Sequence, residues 1–218
     1  MNKSKRWWLL FLLSLGVMSF FSAPYLTLDP GRSRVAVEST VHYGLLVAHI
    51  GTAFVALIAG FPQFIVGLRE RRPGLHRLVG RIYVAGVMIS GVLALGVTAY
   101  EKDYVRSLAF LTLDALWLVT TWNGFRYAAK KDFAAHRVWM TRSFGMTLVA
   151  VSARVLTPIL ILLYLALNGF SLPQGRTGML DAILTVNIWA GLAFDFVIVE
   201  WILLKKTHGA SKTPSRRN

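Results

Sequence analysis

Six long blocks of apolar residues constrain the fold of this chain more than any other feature. They cover residues 7–25, 42–68, 78–100, 106–125, 138–167 and 182–204. Each block is close to the length of about 20 residues that a helix needs to cross a bilayer. The 218-residue chain is 55% hydrophobic and has a mean hydropathy of +0.54, values that soluble domains seldom reach. The sequence therefore predicts an all-α, polytopic bundle of about six transmembrane helices, because only such helices satisfy their backbone groups in lipid.

The basic residues predict how these helices are oriented. The chain carries 24 Lys and Arg against 10 Asp and Glu. With a cytoplasmic N-terminus, 18 of the 24 fall on the cytoplasmic side. The positive-inside rule thus predicts a protein of the bacterial cytoplasmic (inner) membrane with both termini in the cytoplasm. Since topology explains the charge, we expect contact with the bilayer and its anionic lipids, and no binding of nucleic acid.

The domain organisation follows from the same blocks. Residues 1–27 resemble a signal peptide, but Pro24 directly after the small residues disfavours cleavage, so we expect a retained first span. The remaining units are an external loop (28–41), a five-span membrane core (42–204) and a basic cytoplasmic tail (205–218). The absence of cysteine excludes disulfides, thiol catalysis and iron–sulfur clusters. No catalytic motif is present, so the sequence assigns no catalytic residue and leaves open whether the protein is an enzyme.

Small and polar residues align on one face of several predicted spans, which indicates a polar helix–helix interior. This face carries His49 and Gln63 in the second span, Asp114 in the fourth and Arg154 in the fifth. Gln63 follows a proline that is expected to bend its span, so its amide needs a partner inside the bundle. Arg154 is expected to pair with Asp114 or Asp195. The alternative is a ligand or proton site of the kind a small transporter needs.

Two related basic motifs stand before apolar runs, HRLVGR beginning at His76 and HRVWMTR beginning at His136. Their arginines are Arg77, Arg81, Arg137 and Arg142. A b-type haem in a membrane bundle needs two neutral imidazoles at equal depth on facing helices, and basic groups near its propionates. The pattern therefore predicts that the two histidines bind haem b as axial ligands.

Other interpretations of these motifs stay open. A histidine beside arginine at a membrane edge is also typical of a headgroup-level anchor or a helix cap. Helix N-termini and arginines on a cytoplasmic face would equally hold an anionic lipid, a phosphate or a partner subunit, without enzymatic activity. A zinc site of His42, His49 and Asp114 is disfavoured, because two helical turns separate the histidines by roughly 10.5 Å. We therefore predict no metal site.

Three stretches, GFPQF, LRERRPGLHRLVGRIY and HRVWMTRS, resemble the bacterial family of predicted membrane proteins catalogued as domain of unknown function 2306. The likeness extends over most of residues 40–205 and implies a multi-span bundle, but it implies no reaction. The positions that the family pattern marks are His49, Gln63, Arg69, Pro73, His76, Arg77, Gly80, Arg81, Tyr83, His136, Arg137 and Arg142.

Overall fold

The structure, a computed structural model, describes residues 3–211, which form seven α-helices and short connections. The helices are α1 (Lys3–Ser22), α2 (Thr40–Gly60), α3 (Val66–Arg71), α4 (Pro73–Thr98), α5 (Tyr104–Ala129), α6 (Phe133–Leu167) and α7 (Gly175–Ser211). Three 3-10 turns lie at Ala23–Thr27, Pro30–Arg32 and Phe61–Phe64. Because no strand occurs within the described range, the predicted all-α bundle is confirmed.

Five of the described helices, α1, α2, α4, α6 and α7, are long and apolar enough to cross a membrane. The 26 residues of α5 would also span it by length, but this helix carries Arg106, Asp114 and Arg126 and is more polar. It packs against α4, α6 and α7, and Asp114 lies on its buried face. A membrane bundle is thus confirmed, while the count of six spans and the cytoplasmic termini stay predictions.

The two basic motifs begin α4 and α6 in the same register. Pro73 opens α4, where its fixed φ suits the first helical position and its missing N–H needs no partner. Asp132 caps α6 by accepting the Ala135 N–H at 3.0 Å. As a result His76 and His136 are each the fourth residue of their helix, which confirms the expectation that both lie at helix starts.

The connection between α2 and α4 differs from the sequence expectation of one bent span over residues 42–68. Here α2 ends at Gly60, and the 3-10 turn that follows has Pro62 at its second position. Proline has no N–H to continue the α-helical hydrogen bonds, so the chain leaves the helix at this point. Gln63 consequently lies in a turn next to α4 instead of on the helical face predicted for it.

The last two helices are longer than their apolar blocks. The 35 residues of α6 extend over roughly 52 Å, well beyond the ~30 Å hydrocarbon core of a bilayer. Helix α7 continues through Ser211, past the predicted start of the tail at residue 205. The rest of that tail, residues 212–218, lies outside the described residues.

Close packing between neighbouring helices defines the bundle. α2 packs on α4, α4 on α5, α5 on α6, and α6 on α7. At Gly191 of α7, an added Cβ would lie 2.9 Å from both Val149 O and Ala153 N of α6, so the two backbones meet directly. We call the end where α2 and α5 finish and α4 and α6 begin the arginine end, and the other the opposite end. At the arginine end, the Trp7 ring packs on Phe144 at a centroid distance of 6.0 Å.

Candidate functional site

The amide of Gln63 holds His76 at the arginine end. In the orientation that satisfies all its neighbours, the amide nitrogen donates to His76 Nδ1 at 3.1 Å and to the His76 carbonyl oxygen at 3.2 Å. The amide oxygen then accepts the Gly80 N–H at 3.2 Å. An added Cβ at Gly80 would lie 3.1 Å from a polar atom of the Gln63 amide, so the glycine makes room for the contact. The internal partner predicted for Gln63 is therefore the first turn of α4.

The backbone of α5 holds His136. His136 Nδ1 lies 2.8 Å from the carbonyl oxygen of Gly124, so this nitrogen carries the proton and donates it. Gly124 also lets α5 and α6 approach closely, since an added Cβ would collide with Met140 Sδ. The neutral tautomer of His136 consequently keeps its lone pair on Nε2, the form in which an imidazole ligates a metal.

The two imidazoles come near enough for their charges to act on each other, although α4 and α6 are separated in the chain by α5. The cavity beside Gln63 is small, with a free volume of about 10 Å³, which holds about one water molecule. Its walls are formed by Gly60, Gln63, Phe64, Tyr83, Met140 and Phe144. The structure thus places both predicted histidines at the arginine end, and neither of them lines this cavity.

A closed cluster of hydroxyl groups lies deeper in the bundle and joins α4, α5 and α6. Tyr83 Oη lies 2.7 Å from Ser143 Oγ and 2.8 Å from Thr147 Oγ1. Thr121 Oγ1 lies 2.6 Å from Ser143 Oγ, and the Trp117 indole N–H donates to Thr147 Oγ1 at 2.9 Å. All five side chains are buried, and every polar group in the cluster has a partner. Such a satisfied network fixes the relative positions of three helices.

The arginines of the two motifs do not share one environment. Arg142 forms a two-point ion pair with Glu200 of α7, at 2.7 Å from Nε and 3.0 Å from Nη2. Its guanidinium also lies over the Trp139 ring, 5.2 Å from the centroid. In contrast, Arg77, Arg81 and Arg137 are exposed. The structure therefore places Arg142 between α6 and α7, where its guanidinium is already paired with Glu200.

His49, predicted on the polar face of α2, lies at the contact between α2 and α4. Its Nδ1 is 3.0 Å from both the carbonyl oxygen and Oγ of Ser90, and Ser90 Oγ donates in turn to the His49 carbonyl oxygen at 3.2 Å. The His49 imidazole is thus bound to Ser90 of α4. It therefore acts here as a link between two packed helices.

The expected pairing of Arg154 with Asp114 or Asp195 is not formed in the described residues. Arg154 Nη1 donates to the Ala150 carbonyl oxygen at 2.7 Å, and its guanidinium lies 5.0 Å from the centroid of the Phe21 ring. Asp195 Oδ1 accepts from Ser152 at 2.8 Å, whereas both oxygens of Asp114 are buried without a partner. Residue spacing within one helix does not fix how that helix is rotated against its neighbours, so it does not decide which of these groups meet.

Two residues that form these sites, Trp117 and Gly124, could not be identified from the sequence motifs. Trp117, which completes the hydroxyl cluster, looks in the sequence like any apolar residue of a span. Gly124 holds His136 through its carbonyl oxygen, a group that every residue type has. A sharper signal would have been their spacing on α5, because Asp114, Trp117, Thr121 and Gly124 recur every three or four residues along one buried face.

Comparison with known proteins identifies the family. A family model described as "Predicted membrane protein (DUF2306)" matches residues 46–172, more than half of the chain, and the chain belongs to this family. The matched region runs from α2 through α6 and contains both histidine motifs. Searches of curated proteins and of solved structures found no match.

Proposed function

We propose that this member of the DUF2306 family binds anionic lipid headgroups through its arginine end. The observation that supports this function is an excess of exposed cationic side chains at that end, in the connections and in the adjoining helix turns. These are Arg69, Arg71, Arg72, Arg77, Arg81, Arg126, Lys130, Lys131 and Arg137. The same two segments, residues 61–81 and 126–142, contain only two acidic residues, Glu70 and Asp132.

The arrangement of these cations suits phosphate groups at the membrane surface. None of the nine forms an ion pair with a described residue, so their donors are available. A guanidinium presents two parallel N–H donors that match a phosphate, and it is less strongly hydrated than an ammonium. Each Lys or Arg near an anionic leaflet contributes about 1 kcal/mol, which corresponds to a roughly fivefold gain in affinity. This side is the predicted cytoplasmic side, where anionic lipids are enriched.

The test compares lipid retention by the purified protein in mixed micelles with phosphatidylglycerol or phosphatidylcholine, measured by native mass spectrometry. We expect preferential retention of phosphatidylglycerol, and we expect salt to weaken it. The double variant Arg77→Gln/Arg81→Gln should reduce this preference by an order of magnitude or more. The matched control Arg32→Gln/Arg176→Gln removes the same charge at the opposite end and should leave it unchanged. Equal retention of both lipids by the wild type would refute the proposal.

Haem b binding by His76 and His136 is the second candidate, supported by the fixed position of both Nδ1 atoms. Ligating histidines characteristically have their other ring nitrogen held by a protein group, which orients the imidazole. His136 has the required tautomer. His76 does not, because Gln63 donates to its Nδ1 and the proton of the neutral ring is then on Nε2. Ligation by His76 would require the Gln63 amide to turn over and lose its hydrogen bonds with the His76 carbonyl oxygen and the Gly80 N–H. The exposed Arg77, Arg81 and Arg137 are available to propionates.

Of the two histidines, only His136 thus has the tautomer that a haem ligand needs. The cavity beside Gln63 has a free volume of about 10 Å³, far below the ~300 Å³ at which ligand pockets begin, and neither histidine lines it. A bound haem would supply one-electron redox chemistry, and the histidines and arginines would hold and orient it. Because of this volume we rank the haem below the lipid.

The absorbance spectrum of protein purified with haem supply separates the two candidates. If haem binds, the oxidised and dithionite-reduced spectra show a Soret band that His76→Ala or His136→Ala removes. His42→Ala, which changes a histidine of the opposite end, serves as the control and should retain the band. A flat wild-type spectrum would exclude haem binding. It would not count against the proposal of lipid binding.

A further inference from the structure

Asp114 lies at the contact between α4 and α5 and is only 4% exposed. Neither carboxyl oxygen has a hydrogen-bond partner in the described structure. On α4 the residue opposite is Gly91, where an added Cβ would lie 3.0 Å from Asp114 Oδ1 and 2.5 Å from Leu118 Cδ2. Gly91 therefore leaves room for the carboxyl group at the contact between the two helices.

Four other ionisable side chains of the bundle have partners elsewhere. His49 is bound to Ser90, and Arg154 donates to the backbone of its own helix. On α5 itself, Arg106 pairs with Glu101 at 3.5 Å and with Asp181 at 2.8 Å. On α7, Asp195 accepts from Ser152. No described cation is therefore paired with Asp114.

An ionised carboxylate in such a place would lose its hydration and gain neither a hydrogen bond nor a counter-charge in return. The protonated acid avoids most of this loss, because it carries no net charge. We propose that Asp114 is a proton-binding site inside the bundle, an uncharged acid whose proton exchanges with water when α4 and α5 separate at Gly91. This site is independent of the lipid and haem sites at the arginine end.

Infrared spectroscopy of the full-length protein in lipid tests the proposal, because the carbonyl stretch of a protonated carboxyl group lies apart from that of a carboxylate. We expect a protonated-carboxyl band that shifts in D₂O and that Asp114→Asn removes or diminishes. Asparagine matches the shape of the neutral acid, so this variant is expected to fold. Asp114→Glu provides a second test, since it keeps an acid but should move the band in frequency.

Asp195→Asn is the matched control, a second buried acid in which one oxygen is held by Ser152. It should leave the Asp114 component in place. A spectrum that neither Asp114→Asn nor Asp114→Glu alters would mean that Asp114 is ionised, and would overturn the proposal. A band that depends on Asp114 but never shifts in D₂O would overturn it as well, because the proton would then not exchange.

Discussion

Removal of the Tyr83 hydroxyl should measure how strongly the buried cluster holds α4 against α5 and α6. Tyr83→Phe deletes two hydrogen bonds, of 2.7 Å to Ser143 and 2.8 Å to Thr147, and changes no apolar contact of the ring. Each hydrogen bond contributes about 0.5–1.5 kcal/mol net, and values in membrane bundles average about 0.6 kcal/mol. Both partners keep another hydrogen bond, Ser143 to Thr121 and Thr147 to Trp117, so no buried group is left unsatisfied.

We therefore expect Tyr83→Phe to lower the free energy of unfolding by about 1–2 kcal/mol, a five- to thirtyfold shift of the folding equilibrium. Denaturation of the detergent-solubilised protein by sodium dodecyl sulfate, followed by circular dichroism, measures this change. Tyr104→Phe is the matched control, because Tyr104 is 77% exposed and makes no such bonds. A cycle that adds Thr121→Val should show coupling, since the two hydroxyls share Ser143.

Equal stability of Tyr83→Phe and Tyr104→Phe would refute this account of the cluster. The hydroxyl of Tyr83 would then contribute nothing beyond the packing of its ring. A decrease in the free energy of unfolding well above ~3 kcal/mol would also contradict this account. It would mean that Ser143 or Thr147 is left without a hydrogen-bond partner.

At the contact between α6 and α7, Gly191→Ala is expected to lower the free energy of unfolding by about 1–3 kcal/mol, since its Cβ would meet backbone atoms at 2.9 Å. Gly51→Ala, where nothing lies within 4 Å of the added Cβ, should instead preserve or raise it, and thermal unfolding of both variants checks the contrast. At the opposite end, the hydrogen bond and charge of Lys102, 2.5 Å away, hold the pKa of Glu38 below its usual value. This ion pair therefore stabilises the folded protein above the ordinary pKa of glutamate, and its contribution is lost as the pH falls through the lowered value. The difference in Tm between wild type and Glu38→Gln should shrink from neutral to acid pH, and a constant difference would contradict the assignment.

The helix starts of this protein were predictable because they depend on local chemistry. Pro73 and Asp132 are start signals that can be read from a few neighbouring residues. They place His76 and His136 at the same position of α4 and α6, as the repeated His-Arg motif indicated. The need of Gln63 for an internal partner was also predictable, because an amide at membrane depth requires one.

The partners themselves were not predictable, because they depend on how neighbouring helices rotate and shift. Arg137 and Arg142 belong to one motif, yet Arg137 is exposed while Arg142 pairs with Glu200 on α7. The expected pair of Asp114 and Arg154 fails for the same reason, since Arg154 turns to the backbone of α6 and to Phe21. A periodicity of 3.6 residues identifies the face of a helix that is buried but not the residue that faces it from the next helix.

The two functions considered for the arginine end depend on different side chains. Lipid binding depends on exposed guanidinium groups and needs no imidazole, whereas haem binding depends on two imidazoles whose Nδ1 atoms are already held by Gln63 and Gly124. His136→Ala should therefore leave phosphatidylglycerol retention unchanged and abolish any pigment. Arg77→Gln/Arg81→Gln should reduce lipid retention whether or not pigment is present. If instead His136→Ala reduces lipid retention as much as the arginine changes do, the histidine is part of a single anion site, and the division of this end into two sites is wrong.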